Sequence, residues 1–182
     1  MFHTATLRTT ITAVQQGDNT ALRAYYLSNA SHLAPFEPAR PDGYHTQVAW
    51  EERVAGLVAE MDRGAALYLI AREPGRPEIL GVCNFTNLVR GPFQACNLGY
   101  SIDHAAEGQG LMFEILGAVL QHVFEDMDVH RVMANHLPDN ERSAQLLARL
   151  GFEREGYARS YLKIAGVWRD HVLTSKINPA HE

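Results

Sequence analysis

Two rhythms of apolar and polar positions alternate along the chain, and their order lays out the elements. Leu111, Ile115, Val119 and Val123 recur every four residues, with Leu116 and Leu120 widening the stripe, which predicts an amphipathic helix from residue 111 onward. The same rhythm joins Leu22, Tyr25, Tyr26 and Leu27 behind Asp18, read as the cap. It returns in Val48, Val54, Leu57, Val58 and Met61, over about 46–63, and a short helix is predicted at NERSAQLLARL. Runs rich in β-branched and aromatic residues predict strands at LRTTITAV, ALYLIAR, EILGVCNFTNL, FQACNLGYSID, HRVMANHL, FEREGYARSYLKI and VWRDHVLTSKI. EPGRPE and AG are turns, and the proline-broken SNASHLAPFEPARPDGYH reads as an irregular loop.

The resulting order, β–α–α–β–β–β–α–β–α–β–β, describes an α/β (α+β) fold. A mixed, twisted sheet of about seven strands should carry helices on both faces. The strand–helix–strand unit over residues 95–136 makes its two strands parallel and right-handed if they are neighbours in one sheet. No repeat, low-complexity block or linker interrupts the 182 residues, so 1–182 reads as one domain. Apolar residues make up 46% and charged residues 20%, the ordinary balance of a soluble globular protein. A formal net charge of −5 argues against a nucleic-acid surface and leaves room for a cationic partner. Cys83 and Cys96 lie in predicted strands and read as free buried thiols, which suits a reducing cytoplasm. MFHTATLRTT lacks a basic-then-apolar leader pattern, and no apolar run reaches the ~18–20 residues of a spanning helix. A cytoplasmic protein without membrane contact, monomeric or weakly dimeric, is expected.

Chemistry concentrates at EGQGLM, where Gly108 and Gly110 separate a strand from a helix that must begin at once. Such a turn leaves backbone N–H groups pointing outward with no side chains in the way, a ready site for phosphate. It is no Walker loop, because no Gly-Lys-Ser/Thr follows. Nor is it a dinucleotide fingerprint, because Met112 and Phe113 stand where the third glycine belongs. Nine histidines raise the question of metal, yet no His-x-x-x-His or Cys-x-x-Cys spacing occurs, and no metal is expected. Met112, Met127 and Met133 read as core fillers.

The run from LGYSID through GQGLMFEIL to NERSAQLLARLGFEREGY resembles the GNAT superfamily of acetyl-CoA-dependent N-acetyltransferases. LAPFEP, GVCNFTNLVRGPFQACNLGYSI, GLMFE, HRVMAN, LLARLGFEREGYA and WRDHVL, in that order, resemble its RimJ-type ribosomal-protein-alanine N-acetyltransferases. The resemblance implies acetyl-CoA as co-substrate, with its pyrophosphate on Gly108, Gln109, Gly110, Leu111 and Met112. It also implies that the acetyl group and pantetheine bond the backbone of Leu98–Ile102, so that Leu98, Tyr100, Ser101 and Ile102 touch the cofactor, Tyr100 and Ile102 being alternate core residues by their side chains. By the same carry-over Asn140 holds the pantetheine arm and Ser143 protonates the leaving thiolate, although Asn140 also suits plain helix capping. Glu37 is the candidate base, and Phe36, Glu37, Asn84 and Tyr100, with Phe93, are candidates to line the acceptor cleft. Two positions depart from the superfamily pattern. Ala105 replaces a Gln or Arg near the phosphates, and Leu147 stands where many members carry a catalytic Tyr.

Amide formation needs a neutral amine, and an α-amine has a reference pKa near ~8 against ~10.4 for lysine. A chain with no obvious His/Asp pair therefore suits an N-terminal acceptor, by resemblance the N-terminal alanine of a small-subunit ribosomal protein. Two other readings remain open on the sequence: an acetyltransferase for small amines such as drugs or toxins, and a non-catalytic coenzyme-A-binding module for ribosome assembly.

Overall fold

The computed structural model describes residues 2–181. The chain runs β1 (His3–Ala5), β2 (Thr10–Ala13), α1 (Asn19–Ser28), α2 (Ala30–Leu33), α3 (Gln47–Asp62), β3 (Leu67–Arg72), β4 (Ile79–Val89), β5 (Ala95–Ile102), α4 (Leu111–Glu125), β6 (Arg131–Met133), α5 (Glu141–Arg149), β7 (Glu153–Ile164) and β8 (Val167–Ile177). All strands join one sheet in the order β1-β2-β3-β4-β5-β6-β8-β7. Every pairing is antiparallel except β5 with β6, whose connection is α4. This is the mixed α/β sheet and the parallel crossover that the pattern predicted.

The period of two in the strands sends alternate residues to two separate cores. On one face Leu69, Cys83, Phe85 and Leu98 pack with Ile115, Leu116, Val119 and Val123 of α4 and Leu147 of α5. On the other face Tyr68, Ile70 and Val82 meet Leu22 and Tyr25 of α1 and Trp50 and Val54 of α3. The four-residue stripe of α4 is fully buried, as its period requires.

Several elements differ from the pattern. An eighth strand appears because residues 3–5 fold back on β2, a pairing too short to leave a periodic signal. LRTTITAV is a strand only from Thr10, since Thr6–Thr9 form the turn, with Thr6 N bonding Thr9 O at 2.8 Å. Asp18 does not cap α1 through its side chain; its carboxylate takes Gln15 N at 2.7 Å and Arg72 Nη2 at 2.7 Å. The loop after Ser28 holds α2 and a 3-10 turn, Ala34–Phe36, because buried Asn29 bonds Tyr25 O, Asp103 and the His104 N–H. Leu27 and Val48, counted in apolar stripes, face solvent.

β6 is the shortest departure and the most consequential. It pairs with β5 at Ala95↔Arg131, Cys96↔Val132 and Asn97↔Met133 only. Residues 134–136 then stay with β8, through Ala134 N to Thr174 O at 3.0 Å and His136 N to Val172 O at 3.1 Å. Leu98–Ile102 are left with a strand neighbour on the β4 side alone. The sheet is open along the second half of β5.

Candidate active site

The opened edge of β5 is where reactive side chains gather. Tyr100 pairs with Cys83 in register and so shares its face, toward α4 and α5. Its hydroxyl lies 2.6 Å from Ser143 Oγ in the first turn of α5. Asn140 accepts from Ser143 N at 3.1 Å, capping that helix and fixing the serine. Burial pushes the Tyr100 phenol up to about 12, against the opposing pull of the Ser143 bond. The phenol therefore keeps its proton at neutral pH, and the two hydroxyls form a donor pair at the rim of the gap. Leu147 is 1% exposed and belongs to the core. Beside Tyr100, Gly99 is exposed, and a Cβ built there would meet nothing within 4 Å.

The glycine turn closes the C-terminal end of β5. Gly108 has φ +70° and Gly110, the N-cap of α4, φ +74°, a region that favours glycine. An added Cβ meets nothing at Gly108 and only Arg8 Nη2, at 3.9 Å, at Gly110. Glycine is needed for backbone conformation here, and the space in front of the turn is open. The first helical bond of α4 runs from Glu114 N to Gly110 O, so the N–H groups ahead of it are left for a guest. The side chains of Leu111 and Met112 are buried, so these residues can offer a ligand only their backbone. Gln109 Nε2 turns back to Ala105 O at 3.2 Å.

Arg8 binds this turn from the β1–β2 loop and was not singled out in the sequence. Its Nε meets Glu114 Oε2 at 2.8 Å, its backbone N–H donates to Glu114 Oε1 at 2.9 Å, and Nη1 donates to Gln109 O at 3.0 Å. A concavity of about 610 Å³ beside the turn is lined by Leu7, Arg8, Asp103, Ala105 and Gln109 among others. It does not include Tyr100 or Ser143, which stand at the strand gap and not in this hollow.

The opposite face of β4 and β5 carries the other candidates. Asn84 pairs with Gly99 and so points away from Tyr100, toward the side of α1 and α3. Burial raises the Tyr26 phenol above its ordinary range, the charge of Glu37 adds to this, and the Asn84 side chain bonding its hydroxyl lowers it. Tyr26, Asn84 and Glu37 are thus brought together. Tyr26 was read in the sequence only as part of an apolar stripe, because period says nothing about a hydroxyl. Glu37 Oε2 lies 2.5 Å from Arg40 Nη2, and its carbonyl accepts from Ala165 N at 2.9 Å, linking the loop to the β7–β8 turn. Phe36, 44% exposed, stands next to it. Ser101 Oγ lies 2.9 Å from the Tyr25 hydroxyl, which pins α1 to β5. Phe93 sits in the β4–β5 turn at the other end of β5, away from this wall. Among the described residues no group of three or more His, Cys, Asp or Glu is arranged to hold a metal ion.

Comparison with known proteins shows the family of the chain and the fold it shares. Residues 8–153 match the family model described as an acetyltransferase (GNAT) domain. The chain is 46% identical over 173 residues to the ribosomal protein uS5-alanine N-acetyltransferase of Escherichia coli (strain K12), covering 94% of this chain and 89% of that protein. Among solved structures, a ribosomal-protein-S5-alanine acetyltransferase from Vibrio fischeri superposes with TM-score 0.95 at 34% identity over the whole of both chains. RimJ of Mycobacterium smegmatis, in complex with CoA-disulfide, does so with TM-score 0.90 at 28% identity, covering 97% of this chain and 87% of its own. With a strand gap, a glycine turn and a hydroxyl pair set as described, the chain belongs to the GNAT family and is an N-acetyltransferase.

Proposed function

We propose that this enzyme, acting as a single domain over 1–182, transfers the acetyl group of acetyl-CoA to the N-terminal α-amine of a ribosomal protein, with alanine as the first residue. The observation that carries the reading is the opened edge of β5, flanked by the Tyr100–Ser143 pair and ended by the glycine turn. The acceptor class is supported by relatives whose names specify ribosomal-protein alanine.

Each residue then has a defined task. Backbone N–H groups of Gly108, Gln109, Gly110, Leu111 and Met112 hold the pyrophosphate, with no polar side chain needed at Ala105. The backbone of Leu98, Tyr100, Ser101 and Ile102 pairs with the pantetheine arm as a missing strand would, and Asn140 steadies it. Ser143, backed by the half-buried Tyr100 phenol, protonates the leaving thiolate, so a tyrosine at 147 is not required. Glu37, already paired with Arg40, holds the acceptor ammonium beside Phe36, Tyr26 and Asn84. Among the described residues no helix is long and apolar enough to cross a membrane. The enzyme meets its acceptor in the cytoplasm, as a monomer or weak dimer without contact to nucleic acid.

Incubation with acetyl-CoA and synthetic peptides, followed by mass spectrometry with site localisation, tests the reading. Acetylation confined to the α-amine of peptides beginning with a small residue such as Ala is expected. Acetyl groups on lysine side chains, or activity only on small amines, would discard it.

A further inference from the structure

His171 of β8 is 4% exposed and lies on the strand beyond β6, across the gap from the second half of β5. Val172 bridges His136 and Ser175 opposes Met133, so His171 shares the sheet face of Met133 and Asn135. That face is opposite to the one on which Val132 and Ala134 join the α4–α5 core. It is the side of Tyr26, Asn84 and Glu37, and His171 lies on the far bank of the gap from them. The Tyr161 ring is 5.5 Å from the imidazole, and the Tyr161 hydroxyl accepts from Asn135 Nδ2 at 3.2 Å, just past the point where β6 leaves β5. The hydrogen bond from Ala165 N to Glu37 O ties this hairpin to the acceptor loop over the gap.

The tautomer follows from one contact. His171 Nδ1 lies 3.2 Å from Arg169 O, and a carbonyl oxygen can only accept, so Nδ1 carries the hydrogen and Nε2 keeps a lone pair. We propose that His171 Nε2 is the base that takes a proton from the acceptor α-ammonium, an assignment that rests on the N-terminal acetylation reading above. Of the two protons the nitrogen sheds, the first passes to Nε2 and then to solvent. The freed lone pair adds to the thioester carbonyl carbon, and the C–S bond breaks as the amide forms. The second proton leaves nitrogen for solvent as the amide forms, and the Ser143–Tyr100 pair regains from solvent the proton that it gives to the thiolate, so that one proton is released overall.

The surroundings keep the imidazole neutral. Burial pushes it down first; the charges of His136, behind β6, and of Arg169 act the same way, while the Arg169 carbonyl bond and Asp170 oppose them. Tyr161 is the group facing it from β7. Arg169 is itself held by Asp139 at 2.9 Å, and Asp170 accepts from the Tyr157 hydroxyl and Ser160 N, each at 2.8 Å. An imidazole held neutral at pH 7 has its Nε2 lone pair free to accept.

The test is a pH series of kcat/KM for an N-terminal alanine peptide, comparing wild type with His171→Gln, alongside calorimetry with acetyl-CoA and thermal unfolding. The variant should lose on the order of 100-fold near pH 7 and recover toward wild type near pH 9, where the α-amine (reference pKa ~8) is free without help. Acetyl-CoA affinity should not change. A loss equal at all pH values, with lowered Tm and weakened acetyl-CoA binding, would overturn the proposal in favour of a packing role, as would a wild-type profile. Should the variant fail to fold, nitrogen NMR of the wild-type imidazole decides: hydrogen on Nδ1 at neutral pH supports the proposal, and hydrogen on Nε2 ends it. A wild type that acetylates no N-terminal peptide would instead bring down the acceptor reading itself.

Discussion

Ser143 and Tyr100 come from different elements, and the proposed proton donor rests on their 2.6 Å contact. An acid acts on the transition state and hardly on the ground state, so Ser143→Ala should cut kcat by about 100-fold with acetyl-CoA affinity nearly unchanged. Stopped-flow turnover with parallel calorimetry would show it, and an unaltered kcat would move the acid role to another group. Gly110 differs in kind, because its φ of +74° is disfavoured for any residue with a Cβ. Gly110→Val should lower acetyl-CoA affinity strongly in a protein that still unfolds cooperatively, since the branched side chain projects toward the open space where phosphate would pack. Glu37→Gln should raise the peptide KM, with kcat little changed, by removing the charge proposed to hold the ammonium.

At the level of elements, the β1–β2 loop and α4 are joined by Glu114, whose carboxyl is held below its usual range by the Thr6 hydroxyl and then by Arg8, against burial. A carboxyl depressed in the folded state adds stability above its unfolded pKa of roughly 4.3, and this is lost as pH falls through the lower folded value. Thermal unfolding between about pH 3 and 6 should therefore show a shallower acid loss for Glu114→Gln than for wild type. Arg8→Met, which frees Gln109 O as well, should raise the acetyl-CoA KM more than it lowers kcat. Helix α5 is handled similarly by Asn140. Its replacement by Ala should cost about 1 kcal/mol of stability as a lost cap and also raise the acetyl-CoA KM.

Over the whole molecule, Cys83 and Cys96 are both buried, and burial pushes each thiol up to about 12. Neither should react with a thiol reagent in the native protein at pH 8, and both should do so at once on unfolding, as a spectrophotometric titration would report. The net charge of −5 should draw cationic peptides, so their KM should rise with salt as screening shortens to ~8 Å near 0.15 M. Local order of this kind was largely legible in the sequence. The four-residue stripe of α4, the alternation in β4 and β5, the glycine pair and Asn140 ahead of α5 all declare themselves, because period, turn chemistry and capping act between residues a few positions apart. Fragments in a known order also disclosed the family. What only the tertiary structure decided was which distant groups meet: Tyr100 with Ser143, Arg8 with Glu114 and Gln109, Tyr26 with Asn84 and Glu37, His171 with Tyr161. It also decided where β6 leaves β5, since HRVMANHL reads as one strand while its second half stays paired with β8 alone. Periodicity assigns a side chain to a face but not to a partner, and the partners here come from strands and helices joined only when the sheet closes.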